Sequence, residues 1–225
     1  MTLFGMVLLA CQPLQHAKTV PALTTPTVLP FSTGGKVYLV NTSASEIRLL
    51  VYREGPMARL GHNHVITGRV RGEISVSETA AASGFRLEIP LESFAVDLPV
   101  PRSEEGAEFS AEVSDVARQG TRKNMLGADL LDALQHPAIQ IESVTLSGPR
   151  WNPDVVARIT LRGVSSELKF PAEVVEQNGA ISVTASFRVL QTELGLQPFS
   201  ILGGAIRVRD AIDIRVHLLA QRKTE

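Results

Sequence analysis

From Val37 onward the chain alternates apolar and polar residues with a period of two, the spacing that sends successive side chains to opposite faces of a strand. Ile47, Leu49 and Val51 alternate with Arg48 and Tyr52, and Phe85, Leu87 and Ile89 with Arg86 and Glu88. Ile181, Val183, Ala185, Phe187 and Val189 alternate with Ser182, Thr184, Ser186 and Arg188. Near the end, Ile206, Val208, Ile212, Ile214, Val216 and Leu218 share one parity, and Arg207, Arg209, Asp213, Arg215 and His217 the other. One dry and one wet face per strand belongs to an antiparallel sheet. The pattern predicts strands near 37–41, 46–53, 65–77, 84–97, 138–147, 155–162, 166–176, 180–190 and 206–219, about eight once one merges into a neighbour. Asn178-Gly179 is a two-residue hairpin signal, and Gly163 and Gly148-Pro149 are weaker breaks. So many strands in one chain point to an all-β barrel or sandwich.

The middle of the chain breaks the pattern. Ser103 to Gln119 is rich in Glu and Ala, with Glu104 and Glu105 suited to a helix first turn. Thr121 to Gln135 spaces Met125, Leu126, Asp129, Leu130, Asp132 and Leu134 roughly as a helix, which His136-Pro137 ends. One or two short helices therefore interrupt the strands. With no long repeat and no second composition class, one domain over 36–221 is the expectation.

Composition narrows the function. Hydrophobic residues are 44% of the chain and charged residues 20%, enough to bury a core. Twenty-two Lys and Arg against 23 Asp and Glu leave a net charge of −1, which argues against a nucleic-acid partner. The single cysteine, Cys11, excludes an internal disulfide framework and multi-thiolate metal centres. Residues 1–11 form an apolar run too short to span a bilayer as a helix, which reads as the hydrophobic part of an export signal. Leu8-Leu9-Ala10-Cys11 resembles a bacterial lipoprotein box, in which the cysteine is lipidated, although no Lys or Arg precedes it. Gln12 in place of Asp resembles an outer-membrane address. The competing reading is a buried N-terminal segment with an incidental cysteine. Residues 12–35, with Pro13, Pro21, Pro26, Pro30 and Gly34-Gly35, read as a partly extended tether. The expected location is thus the periplasm, membrane-anchored through Cys11.

Four stretches together resemble the YceI-like family of bacterial periplasmic proteins. They are Arg59-Leu60-Gly61-His62-Asn63-His64 through Gly72; Arg122 to Asp132 with His136-Pro137 to Ser143; Ala157 to Val164; and Arg207 to Leu219. The order and spacing carry the likeness. The chain departs from the family pattern at Leu130-Leu131, at His136 and in its doubled His-Asn-His. The resemblance implies an eight-stranded, antiparallel, lipocalin-like β-barrel with a long apolar cavity. It also implies a carrier of a polyisoprenoid or other lipid-like molecule, with no cofactor and no catalytic role. On that reading Ile47, Leu49, Val51, Phe85, Leu87, Ile159, Leu161, Phe187 and Val189 contribute to the cavity lining or core. A second copy of the chain is a further candidate partner.

His62-Asn63-His64 is the sharpest local feature. Residues two apart in an extended segment point the same way, and this parity continues through Ile66, Gly68, Val70, Gly72, Ile74 and Val76. Gly68 and Gly72 would free space for a ligand or let the strand bend. Three readings of His62 and His64 compete: loop histidines bonded to backbone, polar contacts to a ligand headgroup at the barrel mouth, or half of a divalent-metal site. The metal reading needs a third ligand such as His136, His217 or a carboxylate, and would make the protein a metal- or small-molecule-binding stress factor. Arg207, Arg209 and Arg215, like Arg69 and Arg71, read as a solvated outer face or an anionic headgroup site. Catalytic templates fail. There is no Gly-x-Ser-x-Gly, Gly-x-Gly-x-x-Gly or His-Glu-x-x-His, and the Ser166-x-x-Lys169 match falls in a strand where the two residues face opposite sides. Glu92 with Asp97, and Glu104 with Glu105, are expected on the solvated surface.

Overall fold

The computed structural model describes residues 35–223; Cys11, the apolar run 1–11 and the stretch 12–34 lie outside them. The strands are β1 (Lys36–Val40), β2 (Glu46–Glu54), β3 (His64–Arg69), β4 (Arg71–Val76), β5 (Gly84–Pro90) and β6 (Ala95–Val96). After two helices, α1 (Pro99–Ser103) and α2 (Asp115–Leu126), come β7 (Ala138–Ser147), β8 (Asp154–Leu161) and β9 (Val164–Pro171). The last are β10 (Glu173–Gln177), β11 (Ala180–Leu190), β12 (Ser200–Ile201) and β13 (Ile206–Arg222). All pairings are antiparallel.

Shared partners group twelve of these thirteen segments into eight rows, and the two-residue β12 pairs with the start of β13. β1 and β2 both lie along one edge of β13, β1 on Ala220–Arg222 and β2 on Arg207–His217, so residues 36–54 form one broken row. β4 pairs β1 and β3 pairs β2, which makes 64–76 the second row. β5 pairs β4 and β6 pairs β3, which makes 84–96 the third, interrupted by a 3-10 turn at Leu91–Ser93. β7 and β8 follow in order. β9 pairs β8, while β10, one residue further along the chain, pairs β11, and β11 pairs the other edge of β13. The row 164–177 thus carries the sheet around from β8 to β11. The ring is an eight-row antiparallel barrel, as the alternation and the resemblance predict. The breaks differ from the prediction: 65–77 divides at Val70, 84–97 at the Leu91 turn, and 166–176 at Ala172.

Two glycines make the second row workable. Gly72 has φ +138, and an added Cβ would lie 2.1 Å from Arg86 O on β5, so backbone approach requires glycine there. At Gly68 a Cβ would lie 2.5 Å from the Phe94 ring. The space that Gly68 frees is therefore filled by Phe94 and is not left for a ligand.

The helical stretch differs most from expectation. Helix α1 ends at Ser103, so Glu104 and Glu105 do not open a helix. α2 starts after the Ser114 cap, whose Oγ accepts from Ala117 N, and runs on to Leu126; 127–137 is turns, not helix. Tertiary contacts override local spacing at both places. The Glu105 side chain, only 2% exposed, is drawn into ion pairs with Arg48 (3.0 Å) and Arg215 (2.8 Å). Leu130 and Leu131 pack into the core with Met125, Ile139 and Leu161. The 98–113 segment also covers the outside of β2 and β3, where Leu50, Val65 and Phe109 form a second buried cluster.

Candidate functional site

The inward parity of the barrel encloses an apolar cavity of about 350 Å³. Ile47, Leu49 and Val51 from β2, Phe85 and Leu87 from β5, Ile159 and Leu161 from β8, and Phe187 and Val189 from β11 all line it. Alternation puts these nine residues on the inward parity, and the fold makes that parity a cavity wall. Ile139 and Ile141 of β7 and Ile212, Ile214, Val216 and Leu218 of β13 join them, as do Phe94, Met125, Leu130 and Leu131 from outside the regular strands.

The cavity is polarised along its axis. Its solvent-exposed lining residues are Arg53, Asn124, Phe199 and Arg207, and the imidazoles of His62 and His64 lie at this same end, where β2 leads to β3 and β12 to β13. This end is the mouth. At the far end, beside the Asn178-Gly179 turn, Tyr38 is 1% exposed and donates from its OH to Glu176 Oε1 (2.7 Å), which also meets Lys36 (3.4 Å). Burial, then the Glu176 hydrogen bond, pushes the Tyr38 phenol up, so it stays a neutral donor.

His62 and His64 both face the cavity, with ring centroids 6.4 Å apart. Asn63 between them points away: its Oδ1 accepts from Arg53 N (3.0 Å), its Nδ2 donates to Glu108 O (3.0 Å), and its own carbonyl accepts from Arg102 (2.8 Å). His64 Nδ1 donates to Asp97 Oδ2 at 2.6 Å. Asp97 Oδ1 accepts from Val65 N (2.9 Å) and from Arg102. Burial alone would raise the Asp97 pKa. The hydrogen bonds from His64 and Val65, with the charges of His64 and Arg102, outweigh it and hold the carboxyl below the usual range. An ionised Asp97 only accepts, so His64 carries its proton on Nδ1 and keeps Nε2 free for a ligand. Burial, then the His64, Arg102 and Arg53 charges, pulls His62 below the ordinary imidazole value, so it is neutral at pH 7.

Asp97 is the functional residue the sequence reading misplaced. It is 1% exposed, not on the solvated surface, and sits at φ +52, a left-handed position that Asp tolerates. Glu105 is likewise buried, for the reason given above. Among the described residues no group of three or more His, Cys, Asp or Glu side chains is arranged to hold a metal ion, and His217 is exposed on the outer parity. The outer arginines are largely engaged within the chain. Arg207 meets Glu54 (3.3 Å), Arg215 meets Glu105, Arg209 lies over the Tyr52 ring (5.2 Å), and Arg71 pairs with Glu88. Arg69 donates to Ser43 O, and Ser166 Oγ donates to Glu193 O.

Solved structures with similar folds agree with this architecture. BcnA of Burkholderia cenocepacia superposes with a TM-score of 0.58 at 14% identity, over 81% of this chain and 99% of that one. A polyisoprenoid binding domain from Saccharophagus degradans, implicated in plant cell wall breakdown, gives 0.57 at 13% identity, over 83% and 98%. A Campylobacter jejuni YceI protein gives 0.50 at 12% identity, over 69% and 82%. No curated protein matches the sequence significantly. The family model of the YceI-like domain matches residues 38–220, from within β1 to near the end of β13, and the chain belongs to that family.

Proposed function

We propose that the protein binds one long, hydrophobic, polyisoprenoid or similarly lipid-like molecule in its barrel, tail inward and polar end at His62 and His64, and so sequesters or carries it. The observation that carries this reading is the polarised cavity: a long, mostly apolar wall with Arg53, His62, His64 and Arg207 at the mouth. Burial supplies the affinity. Each CH₂ moved from water gains about 0.8 kcal/mol, so roughly ten methylenes gain about 8 kcal/mol before ordering costs. A neutral His62 and an Nδ1-protonated His64 suit a headgroup that hydrogen-bonds. We place the barrel in the periplasm, anchored through a lipidated Cys11, with Gln12 directing it to the outer membrane and the proline-rich stretch as tether.

Native mass spectrometry of the gently purified chain tests the binding. We expect a single lipid-sized adduct that organic extraction removes. Ala185→Trp, which projects an indole into the cavity from β11, should abolish it. A chain that carries no adduct, and whose fluorescent-lipid binding is unaffected by Ala185→Trp, contradicts the reading.

A further inference from the structure

We propose that the barrel mouth docks directly onto a lipid bilayer, through two loops that surround the opening. The loop between β2 and β3 exposes Met57 and Leu60, and the segment around β12 exposes Phe199, Ile201 and Leu202; Leu60 is 59% and Leu202 67% exposed. Single exposed hydrophobics are ordinary, but five on adjoining loops form a patch of the kind that marks an interaction surface.

The patch is built rather than incidental. Met57 N donates to Ala205 O (2.9 Å), and Gly55, at φ +106, packs so closely on Ala205 that a Cβ would lie 2.6 Å from its carbonyl oxygen. Ile201 pairs with Ile206. The two loops therefore hold one another, and the side chains they expose are presented together beside the opening lined by Phe199 and His62.

Charge points to the occupant. Residues 53–62 and 197–207 hold Arg53, Arg59 and Arg207 against Glu54 alone, a local charge of +2 on a chain whose net charge is −1. Glu54 is taken by Arg207, which leaves Arg53 and Arg59 as the cations flanking the apolar tips. Apolar side chains among arginines match an interface of acyl chains beneath anionic headgroups. Docking there would bring the cavity opening to the bilayer, so that an apolar molecule passes between them without crossing water. That use rests on the lipid-binding reading; the docking itself is measured separately.

The test uses the full chain carrying Cys11→Ser, so that no lipid on that cysteine supplies attachment. Co-sedimentation is measured with vesicles of phosphatidylcholine, alone or mixed with phosphatidylglycerol. We expect binding that phosphatidylglycerol strengthens, loss of it in Leu60→Asp/Leu202→Asp, and about fivefold weakening in Arg59→Gln. Thermal unfolding and any retained lipid mass should be unchanged, because these side chains are exposed. Equal sedimentation of parent and variants overturns the proposal, as does a parent that never sediments. So does a double variant that loses only self-association in sedimentation velocity. A cavity without lipid but with intact vesicle binding would reject the functional reading and leave the docking surface standing.

Discussion

Asp97 concentrates the chemistry of the mouth in one carboxylate. It fixes the tautomer of His64, accepts the Val65 amide and neutralises Arg102, whose guanidinium also donates to Asn63 O and Ala111 O. Removing it would strand a buried cation, and breaking a buried pair from one side costs about 3 kcal/mol or more. We expect Asp97→Ala to lower the urea midpoint markedly at pH 7. The sign of the pH dependence follows from the depressed pKa. Stability from Asp97 is complete above its ordinary value of about 4 and is lost as pH falls through the lower folded value. Wild type should therefore weaken below about pH 4, and the difference between the two proteins should narrow there. Identical midpoints at neutral pH would refute this role. The residue was illegible locally because nothing near position 97 signals a partner 32 or 33 positions earlier.

At the scale of elements, the weakest joint is the seam between β9 and β11. These strands share no register among the described residues, and the sheet crosses here only through the chain at Ala172. Phe170 and Phe187 stack across it, centroids 4.2 Å apart and planes within 9°, and both line the cavity. Phe187→Ala should cost about 2 kcal/mol, from lost burial and the lost stack. It should also speed amide exchange in β9 and β11 above that in β7 and β8. Uniform exchange across the four strands would show that the stack does not hold the seam. Parity reveals that Phe187 points inward; only the closed ring places it against Phe170. The helical stretch shows the same division. Ser114 caps α2 as local chemistry allows, but Glu105 and Leu130 are captured by distant rows, so the predicted helices at 103–119 and 121–135 did not form as drawn.

At the scale of the whole molecule, the barrel has one polar, open end and one closed end, and every proposed function uses that asymmetry. Cys11 lies outside the described residues, and its role is tested on the full chain. Growth with labelled fatty acid in a lipoprotein-processing bacterial host should label the wild type and not Cys11→Ser, and the latter should move to the soluble fraction. Equal labelling of both proteins would exclude Cys11 as the anchor. The sequence by itself determined what period two can determine: roughly where strands run, which parity is apolar, and hence that the nine residues from Ile47 to Val189 face inward as lining or core. Period is a local property that survives any arrangement of the strands. Which end opens, which carboxylates are buried and which loops meet at the mouth were decided only by the tertiary structure. Those depend on rows more than a hundred residues apart, such as β2 on β13, and no spacing along the chain encodes them.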